Sequence, residues 1–185
     1  GHFALKKSLL MGKIGKLEKI IITSRDPAPP SFNYLKSSGG IFRDMTIHDF
    51  DMVRFYLGND EINEIYATAS NISNKRFNDI KDYELATCII KSKKGVICTI
   101  NNSRHYKYGY DQRIEIFGNK GCLISKNKKK YNFFIDRYKT AYKLQLQDLV
   151  NLAYKNKKPR ASFVDGEKAL LLANAAYKSL LTKKV

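Results

Sequence analysis

No run in this 185-residue chain approaches the roughly 20 consecutive apolar residues of a membrane span. The opening "FALKKSLLMGKIG" is broken by Lys6, Lys7 and Lys13, and its apolar part is too short for a signal peptide. Cysteine is scarce. Cys88, Cys98 and Cys122 form an odd set with no CxxC spacing, which argues against a disulfide framework and a zinc knuckle. All three sit in apolar, strand-like contexts, so buried, reduced thiols in a cytoplasmic protein are expected. There is no GxGxxG after a first strand, no GxxxxGK[ST] and no GxSxG. The chain therefore shows no cofactor site of its own. Acidic residues are few, 17 against 34 Lys and Arg, for a net charge of +17. Such an excess can serve an anionic partner. Here it is mostly scattered lysine, in a chain also rich in Ile, Asn, Tyr and Phe, all residues with AT-rich codons. The one dense run, "SKNKKKYN" (125–132), reads as a hairpin tip. No nucleic-acid or membrane partner is expected.

What is present is enough for one globular domain over 1–185, with 43% hydrophobic residues. Gly1 and His2 read as the remnant of a cleaved tag and are given no structural weight. Residues 3–12 read as a short helix and "LEKIIITSRD" (17–26) as a strand. "PAPPSFNYLKSSGG" reads as a loop, followed by a helix over 41–57 stopped by Gly58. Period-two stretches at 61–72, 83–92, 95–106, 112–118 and 121–127 predict a meander of antiparallel strands, with "YNFFI" (131–135) as one more. Two helices, 136–156 and 166–181, close the chain. The class is α+β: a large, mostly antiparallel open sheet with helices packed on one face. The other face carries Ile, Val, Cys and Tyr, which suggests a homodimer or homotetramer built sheet to sheet.

Three stretches carry candidate chemistry. In "GGIFRDMTIHDFDMVRF" (39–55), Asp44 and His48 lie four apart and Asp51 three beyond, so the spacing predicts one shared helix face. A carboxylate one turn from an imidazole fixes its tautomer and suits acid–base work. An ordinary surface ion pair gives the same pattern, and two ligands without a third make a weak metal site. In "NNSRHYKYGYDQR" (101–113), strand alternation would place Tyr106, Tyr108 and Tyr110 on one face, as polyol contacts or as an aromatic ladder. In "TSRDPAPP", Ser24 and Asp26 end a strand at a proline loop, a common binding position that is also a simple cap and turn.

Together with "ALKKSLLMGKIG" and the closing helices, these stretches resemble the C-terminal domain of the Gfo/Idh/MocA oxidoreductases, nearest the inositol 2-dehydrogenases, from about Phe3 to the end. The resemblance implies that the N-terminal Rossmann domain, with its NAD or NADP site and catalytic lysine, is absent from this chain. No cofactor is then expected in the chain itself, and the isolated chain should be inactive. It implies oxidation of a secondary alcohol of a cyclic polyol, with Asp44 and His48 as catalytic groups. Ser24, Asp26, Tyr108 and Tyr142 would be substrate contacts, with position 24 often histidine in related enzymes. A non-catalytic assembly or ligand-binding module, including one for an anionic partner, is the alternative.

Overall fold

The computed structural model describes residues 1–132, 134–155 and 158–185. The β-branched run becomes β1 (Leu17–Arg25), and the period-two stretches become β2 (Ile62–Ser70), β3 (Leu85–Ser92), β4 (Ile97–Ser103), β5 (Asp111–Gly118) and β6 (Gly121–Lys126). They form one six-stranded sheet in the order β2-β3-β4-β1-β5-β6. Alternation sorts the side chains cleanly. Ile20, Ile22, Cys88, Ile90, Cys98, Ile100, Ile114 and Ile116 share the covered face and are fully buried. Tyr66, Ile89, Ile97 and Ile124 lie on the opposite, open face and remain exposed.

The expected meander is interrupted. β1 is inserted between β4 and β5, parallel to the former and antiparallel to the latter. A parallel pair needs a crossover of a dozen or more residues, and the segment between β1 and β4 holds two further strands and the main helix. Local pattern encodes that each strand exists, but not its order in the sheet.

Around the sheet lie α1 (His2–Leu10), α2 (Phe32–Leu35), a π-helical turn (Phe42–Thr46) running into α3 (Ile47–Leu57), a 3-10 turn (Lys75–Ile80), α4 (Phe134–Lys155) and α5 (Phe163–Thr182). α3 and α5 cover the inner face, through Phe50, Val53 and Tyr56 on α3 and Ala169, Ala173 and Ala176 on α5. The alanines let α5 approach closely, so that the Ala67 amide donates to Ser179 Oγ at 3.1 Å. Arg54 pins the two helices together, donating to Asp51 at 2.8 Å and to Asp165 at 3.0 Å. Gly58, at φ +68°, ends α3 as expected.

α4 differs from the other long helices, because none of its residues is buried. Ile135, Leu146, Leu149 and Tyr154 are all exposed. Its first turn is tied to the body by Arg137, which donates to Asn127 at 2.9 Å, and by Tyr138, which donates to Gln112.

Several local expectations are corrected. Cys88 and Cys98 are buried, but Cys122 is exposed, because alternation puts it opposite Phe117 on the open face of the sheet. The tyrosines at 106, 108 and 110 do not share a strand face. β4 ends at Ser103, and the chain then turns, with Gly109 N donating to Tyr106 O at 3.0 Å. Of "YNFFI", Tyr131 makes an isolated bridge with Tyr110, Phe134 and Ile135 open α4, and Phe133 lies outside the described residues. The proline loop contains α2, capped by Ser31. His2 begins α1, and its Nε2 lies 3.3 Å from Gln112 Oε1.

Candidate active site

The ends of β1 and β4 and the start of β5 meet at one end of the sheet, where the inward row changes from isoleucine to polar residues. Register sets Asn102, Ser24 and Gln112 side by side across the three strands, all buried. Asp49 of α3 descends onto this row. Its oxygens accept from Ser24 Oγ and Asn102 Nδ2, each at 2.7 Å. Asn102 Oδ1 in turn accepts from Thr46 Oγ1 at 2.7 Å. Burial pushes the Asp49 carboxyl up to about 6, against the pull of these two hydrogen bonds.

Beside it lies a second polar cluster, built on Arg104. This side chain is 1% exposed, and three groups satisfy it. Nη1 donates to Asp44 Oδ2 at 2.7 Å, Nη2 to Asp82 Oδ2 at 3.3 Å, and Nε to the Tyr83 carbonyl at 3.2 Å. The other Asp44 oxygen accepts from Tyr34 Oη at 2.5 Å. Asp82 also accepts from the Ile41 amide at 2.7 Å, and so holds the entry to the π-helical turn. That entry needs glycine: at Gly40, with φ +82°, an added Cβ would lie 1.7 Å from the Tyr177 hydroxyl.

Asp44 and His48, expected on one helix face, make no hydrogen bond to each other. Both Asp44 oxygens are engaged elsewhere, and His48 is exposed with no hydrogen bond among the described residues. Asp44 lies within the π-helical turn, whose wider spacing breaks the i, i+4 phase on which the sequence argument rests. Asp51 bonds Arg54 instead.

Asp26 follows β1 directly, with its amide donating to Ser103 O at 2.9 Å. Burial pushes its carboxyl up to about 6, opposed by the charge of Arg104. Asp44 and Asp82 are thus the carboxylates that accept from Arg104, and Asp26 is a further carboxyl within reach of its charge, at one polar end of the sheet. Ser24 lies beneath them, committed to Asp49. Tyr108 is exposed on the loop after β4, its ring edge-on to Tyr106 at 5.4 Å. Tyr142 is exposed on α4, outside the cluster.

Sequence reasoning missed Arg104, Asp49, Asn102, Tyr34 and Asp82 as organising residues. The signal for two of them was visible, because Asn102 and Arg104 belong to the polar interruption of an otherwise apolar strand. Asp49, Tyr34 and Asp82 are brought in only by tertiary contact.

The glycine pair before the helix packs against this chain's own Tyr177 and Arg43 side chains. Among the described residues, no group of three or more His, Cys, Asp or Glu is placed to hold a metal ion, and no helix is long and apolar enough to cross a membrane.

A family model described as the GFO/IDH/MocA C-terminal domain matches residues 2–124. The inositol 2-dehydrogenase of Rhizobium meliloti (strain 1021) is 40% identical over 99% of this chain and 60% of its own length. The myo-inositol 2-dehydrogenase of Thermotoga maritima is 39% identical over 97% of this chain and 58% of its own length. The crystal structure of a myo-inositol dehydrogenase from Corynebacterium glutamicum superposes with a TM-score of 0.93 at 38% identity, covering 99% of this chain and 60% of that one. The chain thus spans about 60% of the length of the relatives it matches.

Proposed function

Because this chain belongs to the GFO/IDH/MocA family through its C-terminal domain, we propose that it forms the substrate half of a dehydrogenase. The reaction is oxidation of a secondary alcohol of a cyclic polyol, myo-inositol or a stereoisomer, to a ketone. The observation that carries this reading is the fixed Asp44 carboxylate beside Asp26 at the polar end of the sheet, with both Asp44 oxygens held by donors. Each engaged oxygen keeps a lone pair for a ring hydroxyl, and vicinal hydroxyls match carboxylates spaced along one edge.

In this reading Asp44 orients the reacting hydroxyl and His48, exposed on the same helix, takes its proton. Asp26 and Tyr108 contact the remaining hydroxyls. Ser24 acts from below, by holding Asp49. Tyr142 reaches substrate only with a partner or further polypeptide seated against α4. NAD or NADP binds in the portion of the relatives' length that this chain does not span. The open sheet face, with its exposed Ile89 and Ile97, joins copies into a homodimer or homotetramer.

The test is a spectrophotometric assay over a polyol panel with NAD and NADP. It compares the complete protein carrying these residues with the 185-residue chain alone. Polyol-dependent cofactor reduction is expected from the first and none from the second. Turnover by the chain alone overturns the split site; a complete protein that oxidises no polyol overturns the activity.

A further inference from the structure

We propose that Arg104 is a positioning residue for the reaction above, holding Asp44 in its productive orientation by clamping it to Asp82 and, through Asp82, to the start of the helix. The inference rests on the reading of Asp44 as a substrate-side carboxylate. Its basis is geometric. Arg104 is 1% exposed and spends its fork on two carboxylates, Asp44 at 2.7 Å and Asp82 at 3.3 Å. Asp82 is itself fixed by two amides, those of Ile41 and Tyr83, both at 2.7 Å. Asp44 sits in the π-helical turn, where the backbone ladder is irregular and fixes a side chain less tightly than a regular helix. The guanidinium supplies the missing constraint from the end of β4, in a planar fork that a lysine does not reproduce. Tyr34 braces the other oxygen from α2.

The same contacts provide a readout that needs no turnover. The Tyr34 phenol ionises above the ordinary tyrosine value, first because it donates to Asp44, whereas the charge of Arg104 pulls the other way. Asp44 and Arg104 are the charged groups that face it. Loss of the Arg104 charge with Asp44 in place raises the Tyr34 value further. Release of Asp44 lowers it toward the ordinary value. The two outcomes have opposite sign.

The experiment titrates 13C-tyrosine-labelled chain by NMR, with Tyr34 assigned by its loss in Tyr34→Phe. In Arg104→Met the Tyr34 ionisation is expected to fall. A rise overturns the proposal. Arg104→Lys, which keeps the charge and the fold more readily, is expected to give a fall as well, and an unchanged value overturns the proposal. In the complete enzyme, kcat of either variant should drop by at least about tenfold, with a smaller change in KM, since a misplacement of about 1 Å costs on the order of 10²-fold. Unchanged kcat overturns the proposal too. If the wild-type complete protein oxidises no polyol, the activity reading falls by itself, and the Tyr34 titration still decides whether Arg104 holds Asp44.

Discussion

Asp49 shows what a buried carboxyl costs and why one is kept. It is 1% exposed, and its two hydrogen bonds only partly offset burial, leaving its carboxyl near 6. A carboxyl raised in the folded state is protonated more readily there than in the unfolded chain. The folded state therefore loses stability as pH rises from about 4 to about 6, and that loss is complete at pH 7. For Asp49 the amount is on the order of 3 kcal/mol, at about 1.4 kcal/mol per pH unit. Asp49→Asn should reduce this dependence, leaving the part due to Asp26, and melt no lower than the wild type at pH 7, since the Ser24 hydroxyl can turn to accept; calorimetry at pH 4, 5, 6 and 7 checks it. At His48 the expected loss is functional. In the complete enzyme, His48→Ala should cut turnover by about two orders of magnitude with little change in melting temperature, whereas Asp44→Asn should cut it as much and also lower the melting temperature, because it removes a carboxylate from the buried Arg104. Normal kinetics in His48→Ala would reduce that residue to a solvated helix position.

Among the elements, the segment from Gly39 to Leu57 does the most to place the site. Its apolar residues, Phe42, Phe50 and Val53, fasten it to the sheet, while Asp44 and Asp49 reach two separate polar clusters. The entry is the weak point. Gly40→Ala places a methyl group where the Tyr177 hydroxyl lies and forces a positive φ on an L-residue, so a loss of at least about 2 kcal/mol is expected in chemical denaturation. β6 is the other informative element. It turns Cys122 to the open face, while Cys88 and Cys98 lie on the covered face, with burial pushing both thiols up to about 12. A maleimide at neutral pH should label one cysteine in the native chain and three in denaturant. Labelling of two or more native cysteines would show that the helical layer opens readily.

For the whole molecule, one sheet serves two purposes. Its inner face is a closed apolar core that ends in a polar row, and its outer face keeps Tyr66, Ile89, Ile97 and Ile124 in water. Ile89 and Ile97 are diagonal neighbours across β3 and β4, near the middle of that face. If copies join there, Ile89→Glu with Ile97→Glu should lower the mass measured by analytical ultracentrifugation to that of a monomer and leave the circular dichroism unchanged. An unaltered mass would move the interface elsewhere.

By itself the sequence determined the class of nearly every element, because hydrophobic period and glycine stops are local properties. It also marked stretches that supply members of the two polar clusters: Ser24 to Asp26, Asp44 to His48, and the polar break at Asn101 to Arg104. Tertiary structure alone decided that β1 enters between β4 and β5, that Asn102, Ser24 and Gln112 form one row, and that Asp44 answers to Arg104 rather than His48. Those outcomes depend on contacts between residues far apart in the chain, such as the 60-residue separation of Asp44 and Arg104, for which no local period carries information.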